Sequence, residues 1–346
     1  MNKIRVGIVG LGANTRLRHV PGLRACEAVE IVGVCNRSQA STRAAALQFG
    51  IPRSYSTWRE VVADADIDAV VIGTWPSLHC EVTVAALDAG KHVLTEARMA
   101  RDADEARQML AASQRHPNLT AMIVPSPIGL AVDQVLREFL DQNFIGRLQE
   151  VVVLGVTDMF ADPASPLHWR QATKHSGLNV LTLGILHETL SRFVPDPVSV
   201  FAQGSIYNET RIDPLSGIRV SVDVPDALHV LTQMPSGVKG IYHLSGVASL
   251  GPGLQIHWYG SEGTIKLLGS NPEQLFMGQR GTGELKVVEI PAEKRSGWRV
   301  EQEFIGAIRG EESVKFTTFE DGLRYMLFIQ AVTESLRTGM PATLRT

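Results

Sequence analysis

Short apolar runs alternate with longer amphipathic segments over the first 124 residues of the chain. The apolar runs are rich in β-branched residues, which predicts buried strands at residues 4–9, 30–35, 69–72, 92–95 and 120–124. The segments between them repeat apolar residues every three to four positions, which predicts helices at residues 41–49, 78–89 and 102–113. Because strands separated by helices need crossover connections, this alternation favours a doubly wound parallel sheet.

The pattern changes after Pro125. Helical patterns cover residues 131–142 and 179–193, an apolar run covers 149–156, and strand patterns with short turns cover 227–233, 237–244, 254–259 and 264–268. Two amphipathic helices are predicted at residues 299–308 and 319–336. We therefore predict an α/β protein with two domains, a doubly wound domain at 1–124 and an α+β domain with a large, mostly antiparallel open sheet at 125–346.

Length and charge narrow the class of protein. A chain of 346 residues exceeds the ~250–300 residues at which single hydrophobic cores stop growing, which agrees with two domains. The 33 Lys and Arg residues nearly balance the 36 Asp and Glu residues, so we expect neither nucleic acid nor a membrane surface as a partner. No run approaches the ~20 apolar residues of a membrane span and no leader pattern is evident, so we expect a cytoplasmic protein.

The cysteines point to the same compartment. Cys26, Cys35 and Cys80 have no CxxC spacing and no histidine placed beside them as a metal ligand. We interpret them as free thiols and expect no metal site.

A glycine-rich turn follows the first predicted strand. Gly10 permits a tight turn, and Gly12 lets a pyrophosphate approach the backbone at a helix N-terminus. Thr15 occupies the place of the third glycine in this dinucleotide-binding fingerprint, and Asn14 and Thr15 offer side-chain donors to phosphate. Because the turn lies at the first strand-to-helix switch, it favours a bound dinucleotide over a turn that only begins a helix.

The end of the second predicted strand bears on the coenzyme. A site selective for NAD places Asp or Glu here to accept from the ribose 2′-hydroxyl, but residues 34–38 contain no carboxylate. Arg37, with Ser38 and Arg43 nearby, suits a 2′-phosphate instead. We favour NADP, with NAD as the alternative if Arg37 only solvates the strand end.

Several motifs stand in the order and spacing of a known family. They are Gly10-Leu11-Gly12 with His19-Val20-Pro21, Gly73-Thr74-Trp75-Pro76-Ser77-Leu78-His79, Gly90-Lys91-His92-Val93-Leu94-Thr95-Glu96, Tyr259-Gly260-Ser261-Glu262-Gly263-Thr264 and Thr318-Phe319-Glu320-Asp321-Gly322. They resemble the Gfo/Idh/MocA family of NAD(P)-dependent oxidoreductases over almost the whole chain. The resemblance implies a Rossmann domain followed by a domain whose open sheet forms the interface of a homodimer or homotetramer. It also implies that a sugar, cyclitol or related polyol or ketone binds between the domains.

The turn and the resemblance together give a set of expected coenzyme contacts, in which the resemblance implies that Glu96 approaches the nicotinamide ribose. The expected contacts are Gly10, Gly12, Ala13, Asn14, Thr15, Asn36, Arg37, Ser38, Thr74, Trp75, His79, Glu96 and Ala97. For His79, a place at a helix N-terminus is the alternative.

The family's usual catalytic residues are absent. Its strand-five motif is Glu-Lys-Pro, whose Lys helps to deprotonate the substrate hydroxyl, but this chain reads Glu96-Ala97-Arg98. Arg98 stays charged, so it could clamp an anion or polarise a carbonyl but not transfer a proton. An ungapped alignment puts Thr182 and Leu186 where the family has Asp and His.

Other side chains are candidates for the missing chemistry. His175 and His187 are candidate general bases, because an imidazole titrates near pH ~6.5, and a structural role is the alternative for each. Arg98 is the third catalytic candidate. Candidates for substrate binding, with packing, solvation or helix capping as the alternatives, are Trp169, Arg170, Asn179 and Thr182.

We therefore expect an NAD(P)-dependent oxidoreductase with an atypical active site, which acts on a carbohydrate-like substrate by hydride transfer. Two alternatives remain. One is a non-catalytic NAD(P)-binding sensor or accessory protein, and the other is an enzyme that uses bound coenzyme for transient oxidation during elimination or hydrolysis.

Overall fold

The protein forms two compact units in the computed structural model, which describes residues 3–344. The first unit comprises Met1–Pro125 with Arg299–Leu323, and the second comprises Ser126–Trp298 with Arg324–Thr346. No helix among residues 3–344 is long and apolar enough to cross a membrane.

The elements are numbered along the chain. Up to residue 125 they are β1 (Ile4–Val9), α1 (Val20–Ala25), β2 (Val29–Cys35), α2 (Gln39–Phe49), β3 (Arg53–Ser54), α3 (Trp58–Ala63), β4 (Ala69–Ile72), α4 (His79–Asp88), β5 (His92–Thr95), α5 (Ala103–Arg115) and β6 (Ala121–Ile123). Beyond it they are α6 (Asp133–Asp141), β7 (Leu148–Val156), α7 (Thr173–Ser176), α8 (Leu183–Ser191), β8 (Ser199–Ser205), β9 (Thr210–Ile212), β10 (Arg219–Ser221), β11 (Ala227–Gln233), β12 (Lys239–Ser245), β13 (Gly253–Gly260), β14 (Gly263–Leu268), β15 (Gln274–Gln279), β16 (Lys286–Val287), α9 (Val300–Arg309), α10 (Phe319–Thr338) and β17 (Ala342–Thr343).

The first unit is built on a six-stranded parallel sheet in the order β3-β2-β1-β4-β5-β6. Its central strands are buried on both faces, which is why they read as unbroken apolar runs in the sequence. The predicted doubly wound sheet is confirmed. The helical pattern predicted after the glycine turn is also observed, as a π-helical turn at Thr15–His19 followed by α1, whereas β3 and α3 were not predicted.

The second unit is built on a nine-stranded sheet in the order β16-β15-β14-β13-β7-β12-β11-β8-β17. The pair β7–β12 is parallel and the other pairings are antiparallel, so the predicted mostly antiparallel sheet is confirmed. One face is covered, since His187 of α8 and Phe328 of α10 contact Tyr242 there. On the other face the alternate residues Leu231 and Ile241 remain 55% and 46% exposed.

Helix α8 is shorter than the sequence pattern predicted. The pattern placed its start at residue 179, but the helix begins at Leu183. Leu181 has φ of +47°, a left-handed conformation that an α-helix cannot contain. Asn179 therefore lies before the helix, and its position as a helix cap is not observed.

The segment Arg299–Leu323 packs with the first unit although it follows most of the second. The backbone N–H of Ile123 donates to the carbonyl of Thr317 at 3.0 Å, and a Cβ added at Gly322 would overlap the Ile123 side chain. The structure differs here from the predicted division at 124/125. A single boundary drawn from local composition cannot detect a segment that returns to the first unit.

Candidate functional site

The glycine turn after β1 has the geometry that the sequence predicted. Gly10 has φ of +89°, and a Cβ there would lie 2.7 Å from the carbonyl carbon of Gly73. Any side chain at this position would be strained and would collide with the turn after β4. Gly12 is exposed, and its carbonyl accepts from the N–H of Arg16 at 3.0 Å as the helical segment begins.

Thr15 occupies a structural position under this turn and is not available to a phosphate. Its side chain is buried, and its hydroxyl donates to the carbonyl of Gly10 at 3.2 Å. Gly73 makes room for it, because a Cβ on Gly73 would overlap the Thr15 hydroxyl. The role of Thr15 as a phosphate donor is therefore corrected to that of a residue that supports the turn.

A cavity of about 610 Å³ opens beside the glycine turn at the carboxyl ends of β1, β2 and β4. Its wall contains three arginines and no carboxylate among the described residues. The lining residues are Val9, Gly10, Leu11, Gly12, Arg16, Cys35, Asn36, Arg37, Ser41, Ser56, Thr57, Trp58, Arg59, Gly73, Thr74, Trp75, Ser77 and Leu78. A cationic wall at the carboxyl edge of a parallel sheet fits an anionic nucleotide.

The end of β2 forms one side of this cavity. Asn36 accepts from the N–H of Leu11 at 2.7 Å and donates to the carbonyl of Ser41 at 3.1 Å, so its amide ties the glycine turn to α2. Arg37 is exposed, and its guanidinium carbon lies 6.0 Å from the ring centre of Trp75. Ser38 caps α2 by accepting from the N–H of Ser41. Arg37 is thus the charged group that β2 presents to a ligand.

The predicted coenzyme contacts divide into two groups. Those that line the cavity are Gly10, Gly12, Asn36, Arg37, Thr74 and Trp75. Those outside its lining are Ala13, Asn14, Thr15, Ser38, His79, Glu96 and Ala97. Three further lining residues, Arg16, Trp58 and Arg59, were not predicted from the sequence. The sequence did contain a signal for the helix that carries Trp58 and Arg59. Thr57 is a typical N-cap residue, and in the structure it accepts from the N–H of Glu60 at the start of α3.

Glu96 lies directly after β5 in a cluster of polar side chains. Its Oε1 is 2.5 Å from Asn14 Nδ2 and 3.0 Å from His19 Nε2. Burial works against ionisation of Glu96, but the hydrogen bonds from His19 and Asn14 hold its pKa below the ordinary value. The carboxylate is therefore charged at neutral pH and retains 14% side-chain exposure.

Ala97 and Arg98, directly after Glu96, do not present a charged group to solvent. Arg98 is 2% exposed, and the Ala97–Arg98 peptide bond is cis. The ring of His79 is buried between two backbone carbonyls, with Nδ1 2.9 Å from the oxygen of Arg98 and Nε2 3.0 Å from that of Thr74. Burial lowers the pKa of His79. The structure thus places Arg98 inside the first unit, contrary to the expected anion clamp, and His79 joins the turns after β4 and β5.

His187 lies in the core of the second unit, contrary to its prediction as a general base. Its ring stacks on Phe328 with centroids 3.6 Å apart, and Nδ1 lies 2.7 Å from the Tyr242 hydroxyl. Nε2 is 3.4 Å from Asp196 Oδ1, and the ring is 1% exposed. Burial lowers its pKa. Position 187 falls on the face of α8 that packs on the sheet, so this histidine has a structural role.

The other predicted residues of the second unit lie around α7 and the turn before it. His175 is half-buried on α7, and Arg170 covers the ring of Trp169 with 4.2 Å between guanidinium carbon and ring centre. Asn179 is fully buried and donates to the carbonyl of Ser176 at 2.6 Å. Thr182 is half-buried immediately before α8. Asn179 is thus engaged in the turn, whereas His175, Trp169 and Arg170 retain exposed surface.

Comparison with known proteins identifies the family. Residues 4–123 match the model of the Gfo/Idh/MocA oxidoreductase family with its NAD-binding Rossmann fold, and residues 134–266 match the Gfo/Idh/MocA C-terminal domain. The chain belongs to the Gfo/Idh/MocA family. The predicted family is therefore confirmed, and its first domain is an NAD-binding Rossmann domain.

Three similar proteins give further points of comparison. The uncharacterized oxidoreductase ORF334 of Rhizobium meliloti is 30% identical over 222 residues, which is 63% of each protein. The 1,5-anhydro-D-fructose reductase of Ensifer adhaerens is 27% identical over 353 residues, with 99% of each chain covered. The solved levoglucosan dehydrogenase, in complex with NADH and L-sorbose, has a TM-score of 0.87 at 23% identity with both chains fully covered, which shows a shared fold.

Proposed function

We propose that the protein is an NAD(P)-dependent oxidoreductase that acts on a sugar, cyclitol or related polyol or ketone, with NADP as the preferred coenzyme. The observation that carries the coenzyme assignment is the cavity wall, which presents Arg16, Arg37 and Arg59 and no carboxylate. The exposed Arg37 guanidinium suits the 2′-phosphate of NADP, because it can form paired hydrogen bonds with phosphate oxygens. Arg16 already donates to the Leu11 carbonyl and to Gln48, and Arg59 pairs with Glu81, so these two add positive charge to the wall.

The chain's own residues divide the work of binding. The turn at Gly10 and Gly12 lets the pyrophosphate approach the backbone, and Arg37 contacts the 2′-phosphate. Glu96 accepts from the hydroxyls of the nicotinamide ribose. When bound, the coenzyme supplies or accepts the hydride that is exchanged with the substrate carbon.

The substrate class rests on the relatives. The Ensifer relative, aligned over 99% of this chain, is named for an anhydrofructose, and the structural neighbour is named for levoglucosan. Both names denote carbohydrates. We assign a carbohydrate-like alcohol or ketone to this protein on that basis.

His175 is the proposed acid–base group. Of the three predicted catalytic residues, Arg98 and His187 are buried, whereas His175 is half-exposed on α7. A half-exposed imidazole can exchange its proton with solvent and with a substrate oxygen.

The test of the function is coenzyme turnover. Purified protein is supplied with NADPH or NADP and a panel of sugars, cyclitols and their ketones, and absorbance at the reduced nicotinamide band is followed. Turnover that falls at least tenfold in His175→Gln is expected. Coenzyme binding without turnover on any substrate would instead favour a sensor, and product formation without net coenzyme reduction would favour transient oxidation.

The coenzyme preference has its own test at Arg37. Arg37→Asp should reverse the preference from NADP to NAD, because a carboxylate repels the 2′-phosphate and accepts from a 2′-hydroxyl. Calorimetric titration with both coenzymes measures the ratio of dissociation constants. Arg107→Asp is the control, since it makes the same charge change at an exposed pair with Asp104 outside the cavity. An unchanged ratio in Arg37→Asp contradicts the assignment.

We also propose that two copies of the chain associate through the uncovered face of the nine-stranded sheet. Leu231 and Ile241 are register partners on β11 and β12, and both are about half exposed there. Adjacent exposed aliphatic side chains on a broad sheet favour burial against an equivalent surface.

A further inference from the structure

The buried histidine at the end of the π-helical turn has no role in the function proposed above. His19 has 0% side-chain exposure, and both of its ring nitrogens face carboxylates. Nδ1 lies 2.5 Å from Glu301 Oε1, and Nε2 lies 3.0 Å from Glu96 Oε1. All three residues belong to the first unit.

Glu301 comes from α9, 282 positions along the chain from His19. Its side chain is 1% exposed, and a buried carboxylate is costly unless it is paired. Gly22 on α1 provides the space for it, because a Cβ there would lie 2.5 Å from Glu301 Oε2. The backbone of α1 and the carboxylate of α9 thus fit closely at this point.

Glu96 uses one oxygen in this cluster and leaves the other available. Oε1 receives both Asn14 Nδ2 and His19 Nε2, and no described residue donates to Oε2. Two donors fix the position of the carboxylate, and the remaining oxygen can accept from hydroxyl groups of a ligand.

We propose that His19, held by Glu301, is a positioning residue that fixes the Glu96 carboxylate for the hydroxyls of the nicotinamide ribose. This inference rests on the proposed coenzyme function. Glu301 fixes the ring through Nδ1 so that Nε2 donates to Glu96, in the same way that outer residues orient a ligating group in metal sites. A pair that served only the fold would hold the unit together without favouring one part of the coenzyme.

The charges agree with this geometry. Burial disfavours a charged imidazole, but the hydrogen bonds to Glu301 and Glu96 outweigh it and raise the pKa of His19 to about 9. His19 is therefore an imidazolium at neutral pH, and it donates from both nitrogens at once.

Two ligands separate positioning from a purely structural role. NADPH carries the nicotinamide ribose, and ADP carries the adenine half and pyrophosphate without it. The dissociation constants of both are measured by fluorescence or calorimetric titration for the wild type, His19→Gln and Glu301→Gln. Glu311→Gln is the matched control, because it makes the same change at an exposed glutamate of the same unit.

We expect both variants to bind NADPH about tenfold more weakly, while ADP affinity and the control stay unchanged. In turnover assays the KM for coenzyme should rise more than kcat falls. Unchanged NADPH affinity overturns the inference, as does an equal loss for NADPH and ADP, which would mark a general structural effect. A wild type that binds neither NADPH nor NADH would overturn the proposed function itself, and this inference with it.

Discussion

At the residue scale, the turn after β1 lacks the third glycine of the fingerprint, and a glycine directly after the neighbouring strand β4 compensates for it. The fingerprint uses its third glycine to let helix and strand pack closely, yet this chain has Thr15 there. The close approach is kept because Gly73, at the end of β4, lacks the Cβ that would overlap the Thr15 hydroxyl. The missing glycine is thus replaced by one 58 positions later, which a local motif cannot reveal.

This arrangement predicts a large effect of Gly73→Ala. The new methyl group would overlap the Gly10 carbonyl as well as the Thr15 hydroxyl, so no side-chain rotation relieves it. We expect the free energy of unfolding to fall by about 1–3 kcal/mol, measured by urea denaturation. Gly297→Ala is the control, because a Cβ there meets no atom within 4 Å. Equal stability of the two variants would contradict the packing.

His19 predicts a pH dependence of stability. Its folded pKa of about 9 lies above the ordinary histidine value of 6.5, so its contribution to stability is complete below pH 6.5 and is lost as pH rises to about 9. The free energy of unfolding should therefore decline across this window by up to about 3 kcal/mol in the wild type, and His19→Gln should lack this decline. Urea unfolding at each pH measures both.

His116→Gln is the control for this prediction. His116 lies at the surface beside Asp88, so the wild-type slope should be retained. Parallel pH profiles for the wild type and His19→Gln would mean that the imidazole has no special partner in the folded state.

At the element scale, the predicted strands of the first unit agree with the structure because buried parallel strands are unbroken apolar runs. The runs at 69–72 and 92–95 match β4 and β5 residue for residue. The start of helix α8 could not be predicted from the pattern, because the apolar residues continue through Val180 and Leu181 before the helix begins. The left-handed conformation of Leu181 cannot be recognised from its residue type. His187, which was predicted as a general base, is buried on this helix and has a structural role.

The uncovered sheet face predicts the assembly state. Leu231→Glu places a charge opposite Ile241 in the proposed contact, so the protein should shift from dimer or larger to monomer at micromolar concentration. Sedimentation velocity measures the mass in solution. Leu215→Glu is the control, since Leu215 is 56% exposed but lies in the turn between β9 and β10. A wild type that sediments as a monomer at every concentration excludes this interface.

At the scale of the whole molecule, two features could be predicted from the sequence. One is a parallel sheet followed along the chain by a mostly antiparallel sheet, and the other is the glycine turn at Gly10 and Gly12. Contacts made between distant parts of the chain could not be predicted. Arg59 joins the cavity only when α3 is placed beside the glycine turn, and Glu301 joins His19 only when α9 returns to the first unit. Local periodicity contains no record of such pairings, whereas the glycine turn is local and is recognisable.

The return of α9 also sets an order of events during protein synthesis. A ribosome adds about 5–20 residues per second, so the strands of the parallel sheet are synthesised before Glu301, which follows His19 by 282 positions. Until then His19 has only Glu96 as a carboxylate partner in this cluster. The strands of the Rossmann sheet are therefore synthesised well before the helix that brings the second carboxylate to His19, which lies 282 positions further along the chain.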